Sequence, residues 1–174
     1  IDFLSSWGNS SYFQKELQLN SSQIIRINNY LSSSISANLQ WDALDSDVYG
    51  AERTSIDFTG AAVYKYGRFN AQMEMEYQVH FDRNNEIRDI LSPALQIRYE
   101  LCDWISLSAL SRQAFRMPSF NELYYTGYGN PELKPENAWL SDIGLQADRQ
   151  LGNNWKLAYK LNFFYNELKD KVDF

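Results

Sequence analysis

Along most of the chain apolar and polar side chains trade places at every residue, the period of a strand with one oily face and one wet one. The cleanest run has Phe69, Ala71, Met73, Met75, Tyr77, Val79 and Phe81 against Asn70, Gln72, Glu74, Glu76, Gln78, His80 and Asp82. A first strand is predicted over Tyr12 to Leu19, with Phe13, Leu17 and Leu19 on one side; Lys15 interrupts that side, where its long stem can snorkel. Asn20-Ser21-Ser22 predicts a short turn. The apolar face resumes through Ile25, Ile27, Leu31, Ile35, Ala37, Leu39 and Trp41, and Asp45 to Arg53 predicts a polar loop. Ile56 to Tyr66 gives a third strand, ending in two tyrosines beside a Gly67-Arg68 turn. Further faces are carried by Leu91, Pro93, Leu95, Ile97, Tyr99 and Leu101, by Ile105, Leu107 and Ala109, by Ile143, Leu145 and Ala147, and by Trp155 through Tyr165. Proline donates no ladder hydrogen bond, so Pro93 is expected near a strand end or a bulge.

Roughly eight strands result, with a further segment from Lys169 to Phe174 leading outward. In a water-soluble sheet such alternation means core inside and water outside; in a transmembrane barrel it means lipid outside and a wet lumen. Periodicity is common to both. The predicted connections add a second pattern: 20–22, 66–68, 102–103 and 152–154 are short, 45–53, 83–89 and 118–138 are longer, and the two kinds alternate along the chain. Up-and-down outer-membrane barrels sort their connections in this way.

Composition moves the balance further. Aromatic residues make up 16% of the 174-residue chain, with 12 Tyr, 10 Phe and 5 Trp, yet mean hydropathy is -0.49 and no apolar run is long enough for a membrane helix. Alternating lipid-facing strands produce this combination. A formal charge of -6 argues against a nucleic-acid partner. The single cysteine, Cys102, excludes an internal disulfide framework and reads as a structural thiol. The opening Ile1-Asp2-Phe3 is no signal peptide.

One stretch breaks the alternation. Arg112 to Glu136 reads as a strand that stops at Met117-Pro118 and is followed by a long loop. Pro131 and Pro135 stiffen that loop, Gly127 and Gly129 permit reversals, and Tyr124, Tyr125 and Tyr128 can anchor it. Connections of this length are functional or disordered, and the prolines and tyrosines favour function. Arg116-Met117-Pro118-Ser119-Phe120-Asn121-Glu122-Leu123-Tyr124 followed by Gly129-Asn130-Pro131-Glu132-Leu133-Lys134-Pro135-Glu136 resembles the barrel signature of TonB-dependent outer-membrane receptors. Both halves and their spacing match, with Met117 a conservative departure from the usual alanine. The resemblance implies an all-β fold: an antiparallel up-and-down transmembrane β-barrel, here an incomplete arc of roughly eight to nine strands. It also implies that residues 1–174 are part of a barrel domain in a longer chain with its own signal peptide and plug. Its location would be the bacterial cell outer membrane. Its partners would be outer-membrane lipid, the plug domain of the same chain, the TonB inner-membrane complex acting through that plug, and a small ligand.

The sequence offers no defensible enzyme and implies no cofactor. His80 is the sole histidine, which excludes a multi-histidine zinc site, and the alternation around it makes it a lumen-facing or loop-adjacent polar residue. Glu74 and Glu76 share a face with Arg98 and Arg112, read as lumen-facing groups whose charges compensate rather than as an acid–base pair. Asp42, Asp45 and Asp47 lack a calcium-loop pattern and read as a solvated acidic loop; Met73 and Met75 read as lipid or core contacts. Candidate ligand-binding or plug-seating residues are Arg116, Asn121, Glu122, Tyr124, Tyr125, Tyr128, Asn130 and Glu136. Because receptors for unlike ligands share the motif, a role in folding the loop or seating the plug is favoured over direct ligand contact.

These readings point to part of a receptor that binds an iron chelate, cobalamin or a glycan and transports it into the periplasm. A passive or structural outer-membrane barrel shares the strands but gives no reason for the loop signature. A soluble antiparallel β-barrel or sandwich binding a small ligand predicts the opposite arrangement, with the apolar face enclosed.

Overall fold

The computed structural model describes residues 3–5, 8–82, 87–152 and 154–170, the first ten positions by backbone alone. A small hairpin, β1 (Phe3–Ser5) and β2 (Gly8–Ser10), precedes a sheet of eight strands. These are β3 (Tyr12–Arg26), β4 (Leu31–Ser46), β5 (Gly50–Tyr66), β6 (Phe69–Asp82), β7 (Ile87–Cys102), β8 (Ile105–Arg116), β9 (Glu136–Leu151) and β10 (Trp155–Lys169), with a short helix α1 (Phe120–Tyr124) between β8 and β9. Spatial order equals chain order, every pair is antiparallel, and among the described residues the sheet is unclosed, with β3 and β10 as its edges.

The register joins the apolar positions into one surface. Leu19 faces Leu39 and Leu39 faces Ile56; Phe58, Tyr77 and Leu91 form one row; Tyr99, Leu107, Leu145 and Leu161 form another. This surface is exposed: Met73 is 59% and Phe163 68% accessible. Every buried strand residue, namely Ala51, Arg53, Ser55, His80, Asp82, Ile90, Ser106 and Gly144, lies on the other, polar face. A soluble sandwich would show the reverse, so the apolar face is built for lipid. Length agrees: at about 3.3 Å per residue, fifteen residues of β3 tilted by about 45° still rise past the hydrocarbon thickness of about 30 Å. Near the short-turn end Tyr66, Phe69 and Tyr99 align across three strands, and Tyr30 meets Tyr66 edge-on at 5.2 Å, as amphipathic rings do at a membrane–water boundary.

Several expected boundaries move. Asn20-Ser21-Ser22 is no turn, because these residues pair with Asn38, Ala37 and Ser36 inside β3 and β4. The reversal comes at 27–30, where the Asn28 carboxamide oxygen accepts from the amides of Tyr30 (2.8 Å) and Leu31 (2.9 Å). Ile25 therefore belongs to β3 rather than to the strand of Leu31. The polar loop expected over Asp45 to Arg53 shrinks to 47–49, where the Ser46 hydroxyl accepts from the Tyr49 amide at 3.1 Å and donates to its carbonyl at 2.8 Å. Loop length thus does not separate the two ends of the sheet as cleanly as expected: 117–135 alone is long among the described connections. The Gly67-Arg68 turn stands, with Gly67 at φ +55°. Residues 83–86 of the expected 83–89 connection and 171–174 of the Lys169–Phe174 segment lie outside the described residues, whereas 87–89 belong to β7. Pro93 sits mid-strand opposite Met75, but the β7–β8 ladder begins only at Ala94, so the proline marks where that ladder opens; the bulge is elsewhere, at Glu100/Cys102.

Candidate functional site

The 117–135 connection folds into a compact cap. Ser119 caps α1: its hydroxyl accepts from the Glu122 amide at 3.3 Å while the Glu122 carboxylate accepts from the Ser119 amide at 2.7 Å, a reciprocal capping box. Pro118 and Leu123 are fully buried beneath it. After α1 the chain doubles back on itself, with the amides of Tyr128 and Gly129 donating to the Tyr125 carbonyl and that of Asn130 to the Glu122 carbonyl. A Cβ on Gly129 would stand 2.6 Å from the Tyr125 nitrogen and 2.8 Å from the Leu123 carbonyl oxygen, so only glycine fits here. The Asn130 side chain accepts from the Glu132 amide at 2.9 Å and sets the next bend.

Arg116 is the hub. Its two terminal nitrogens reach both Glu122 oxygens at 2.9 and 3.0 Å, and its Nε reaches Glu136 at 2.7 Å. One guanidinium therefore ties the end of β8, the helix and the start of β9. These bonds, then the Ser119 donors, hold the Glu122 carboxyl below its ordinary pKa. The spacing of the two signature halves follows from this geometry, because Glu136 must return to the arginine that Glu122 already holds.

Three residues outside the signature seat the cap on the sheet: Arg53, Tyr49 and Arg88, the last on β7 and donating to the Pro131 carbonyl at 3.3 Å. Arg53 on β5 pairs with Asp82 on β6 at 2.7 Å, with side chains 10% and 1% exposed, donates to the Pro118 carbonyl at 3.0 Å and lies over the Phe120 ring at 5.2 Å. Tyr49, at the β4–β5 turn, donates to the Asn121 carboxamide oxygen and packs its ring near Tyr124 and Tyr125, each with centroids 6.4 Å away. Burial, then the neighbouring Tyr125, raises the Tyr49 pKa. Between cap and polar face lies a recess of about 670 Å³, lined by Tyr12, Gln14, Asp42, Tyr49, Arg53, Phe120, Asn121 and Tyr125 among others. No sequence signal singled out Tyr49 or Arg53, since each meets the loop only through the strand register.

The expected loop residues thus divide. Arg116, Glu122 and Glu136 converge on one another; Asn121, Tyr124 and Tyr125 gather around Tyr49; Asn130 shapes a bend; Tyr128 lies tilted against Tyr125 and is 84% exposed. Glu74, Glu76, Arg98 and Arg112 do lie on the polar face, but no ion pair joins them among the described residues; Glu76 instead accepts from Gln78 at 2.8 Å. Asp42 and Asp45 fall on opposite faces of β4, and Asp47 accepts from the Ser11 amide and hydroxyl, so the three do not converge. His80 meets the Ser55 hydroxyl through Nδ1 at 2.8 Å; both residues are 7% exposed, leaving no room for a substrate at that pair.

An antiparallel wall, oily on one face and carrying a folded tyrosine-rich cap over the other, defines an arc of an up-and-down transmembrane β-barrel. The model of the family described as TonB dependent receptor-like, beta-barrel matches residues 2–174, and the chain belongs to that family. It is 26% identical over 118 residues to the vitamin B12 transporter BtuB of Photobacterium profundum, covering 67% of this chain and 20% of that protein. It is 27% identical over 101 residues to the heme/hemopexin utilization protein C of Haemophilus influenzae (strain 86-028NP), covering 48% of this chain and 14% of that protein. The fold is shared with the FrpB iron transporter of Neisseria meningitidis, at a TM-score of 0.76 and 14% identity, covering 94% of this chain and 29% of that one. The chain thus spans a fifth or less of those curated relatives.

Proposed function

We propose that this chain is part of the barrel wall of an outer-membrane receptor that binds a scarce ligand at its outer end and passes it to the periplasm with energy relayed from the inner membrane. The observation that carries the reading is the inverted sheet: polar residues sheltered, apolar residues exposed, and a folded cap standing over the polar face. In this reading the polar face lines the lumen, and Glu74, Glu76, Arg98 and Arg112 hydrate it or meet a plug domain carried elsewhere in a longer protein. The relatives' printed ligands, vitamin B12, heme and iron, make a metal chelate or a cobalamin natural cargo for the class, with a glycan a third possibility. The chain performs no bond chemistry in this scheme; its work is binding and passage.

The test is uptake. Cells carrying the full-length receptor are offered radiolabelled cyanocobalamin, heme, ferric siderophores and oligosaccharides, with and without a functional TonB complex. Uptake of one ligand that disappears with either the receptor or TonB is expected. Uptake persisting without TonB would make the protein a passive barrel and overturn the proposal.

A further inference from the structure

The recess beneath the cap has a chemistry that narrows the ligand class, an inference that rests on the receptor reading above. Its size, about 670 Å³, falls within the usual 300–1,000 Å³ of small-molecule sites. Four rings, Tyr12, Tyr49, Phe120 and Tyr125, share its lining, and each of the last three lies within about 6.5 Å of a further ring or guanidinium. Between them stand hydrogen-bonding groups without positive charge: Gln14, Asp42 and Asn121.

The single cation in the lining is Arg53, whose side chain is 10% exposed and has three of its five N–H donors engaged. Nε and Nη2 face the Asp82 carboxylate, Nη1 donates to the Pro118 carbonyl, and the guanidinium plane sits over Phe120. Asp82 cancels its charge, while the Asp42 carboxylate in the same lining accepts, among the described residues, from the neutral Gln40 amide at 3.1 and 3.0 Å. An anionic ferric chelate would therefore meet, among the described lining residues, a negative net charge.

We propose that this recess binds a neutral polyhydroxylated ring, a glycan segment, with its C–H face laid on Tyr125 and Tyr49 and its hydroxyls donating to the Asp42 carboxylate and pairing with Asn121. Aromatic rings supply apolar contact for the C–H face, and a carboxylate with amides supplies the acceptors and donors that hydroxyls require.

The test uses the full-length receptor in detergent, titrated calorimetrically with maltopentaose, cellopentaose and mannopentaose, and with ferric citrate and a ferric tris-catecholate as anionic competitors. At least one oligosaccharide is expected to bind, and Tyr125→Ala and Asp42→Asn are each expected to weaken it about tenfold or more, with the far-ultraviolet circular dichroism of the strands unchanged. Asp42→Asn is nearly isosteric, so it remains informative where the tyrosine variant folds poorly. Failure of all three oligosaccharides to bind, binding indifferent to both substitutions, or a ferric chelate whose binding they weaken would each overturn the assignment. TonB-dependent uptake of an anionic chelate would remove this inference and leave the receptor reading standing; TonB-independent uptake of a sugar bound in the recess would do the opposite.

Discussion

Replacing Arg53 by methionine should loosen the cap on the sheet. The substitution removes two contacts to the cap, the 3.0 Å bond to the Pro118 carbonyl and the packing over Phe120, and breaks the 2.7 Å pair with Asp82 beneath it. Most of the cost comes from what is left behind, because the Asp82 side chain is 1% exposed and its carboxylate would be stranded without a counter-charge. Removing one partner of such a pair costs about 3–5 kcal/mol, so the constant for local opening of the cap should rise roughly a hundred- to several-thousand-fold. Hydrogen exchange of the full-length receptor in micelles, followed by mass spectrometry, reads this directly in the amides of Tyr125, Gly129 and Asn130, which are bonded within the cap. Adding Asp82→Asn to the same variant removes the stranded charge and should restore much of the protection. Exchange within about threefold of wild type in Arg53→Met would refute the argument, since an anchor worth less than a kilocalorie is no anchor. A double variant no better protected than the single would show that the buried charge is not what the loss of Arg53 exposes.

Three other outcomes follow from the same geometry. Gly129→Ala places a Cβ 2.6–2.8 Å from three backbone atoms and should cost about 1–3 kcal/mol, seen as faster exchange confined to the cap; an unchanged profile would contradict the close approach. The Glu122 carboxyl titrates below its ordinary range in the folded cap, so its stabilisation is present above the unfolded pKa and fades as pH falls through the depressed folded value. Protease sensitivity of the cap should therefore rise on acidification, and Glu122→Gln should abolish that pH dependence while leaving the cap less protected at neutral pH. Met73→Arg, on the exposed apolar face, should lower stability in a bilayer by about 2–4 kcal/mol in urea titrations of the full-length receptor, whereas Gln72→Arg on the polar face should cost far less; equal costs would undo the assignment of faces.

The faces were legible from the sequence because period-two alternation is a local property and β6 carries it without interruption. Turns were less so. Asn20-Ser21-Ser22 has turn chemistry, but pairing with Asn38, Ala37 and Ser36 continues the strand through it, a case of sheet register outweighing local preference. The real reversal depends on one Asn28 side chain accepting two amides, which looks no different in sequence from the polar residues around it. The polar run from Asp45 to Arg53 misleads for a related reason. Arg53 is polar because it is buried in an ion pair on the sheltered face, so in an inverted sheet polarity no longer marks a loop.

The same inversion explains what the signature residues do. Arg116, Glu122 and Glu136 are the charges that a sequence reader would offer first to a ligand, yet each is consumed by the others within 3.0 Å. What the triad fixes is the distance between the strand end, the helix and the returning strand. In the proposed reading, the ligand meets side chains that the triad positions but does not engage, Asn121 and Tyr125 on the cap, together with Tyr49, Asp42 and Gln14 from the neighbouring hairpins. The hairpin residues lie outside the signature, which is how one loop shape can serve receptors with different cargoes.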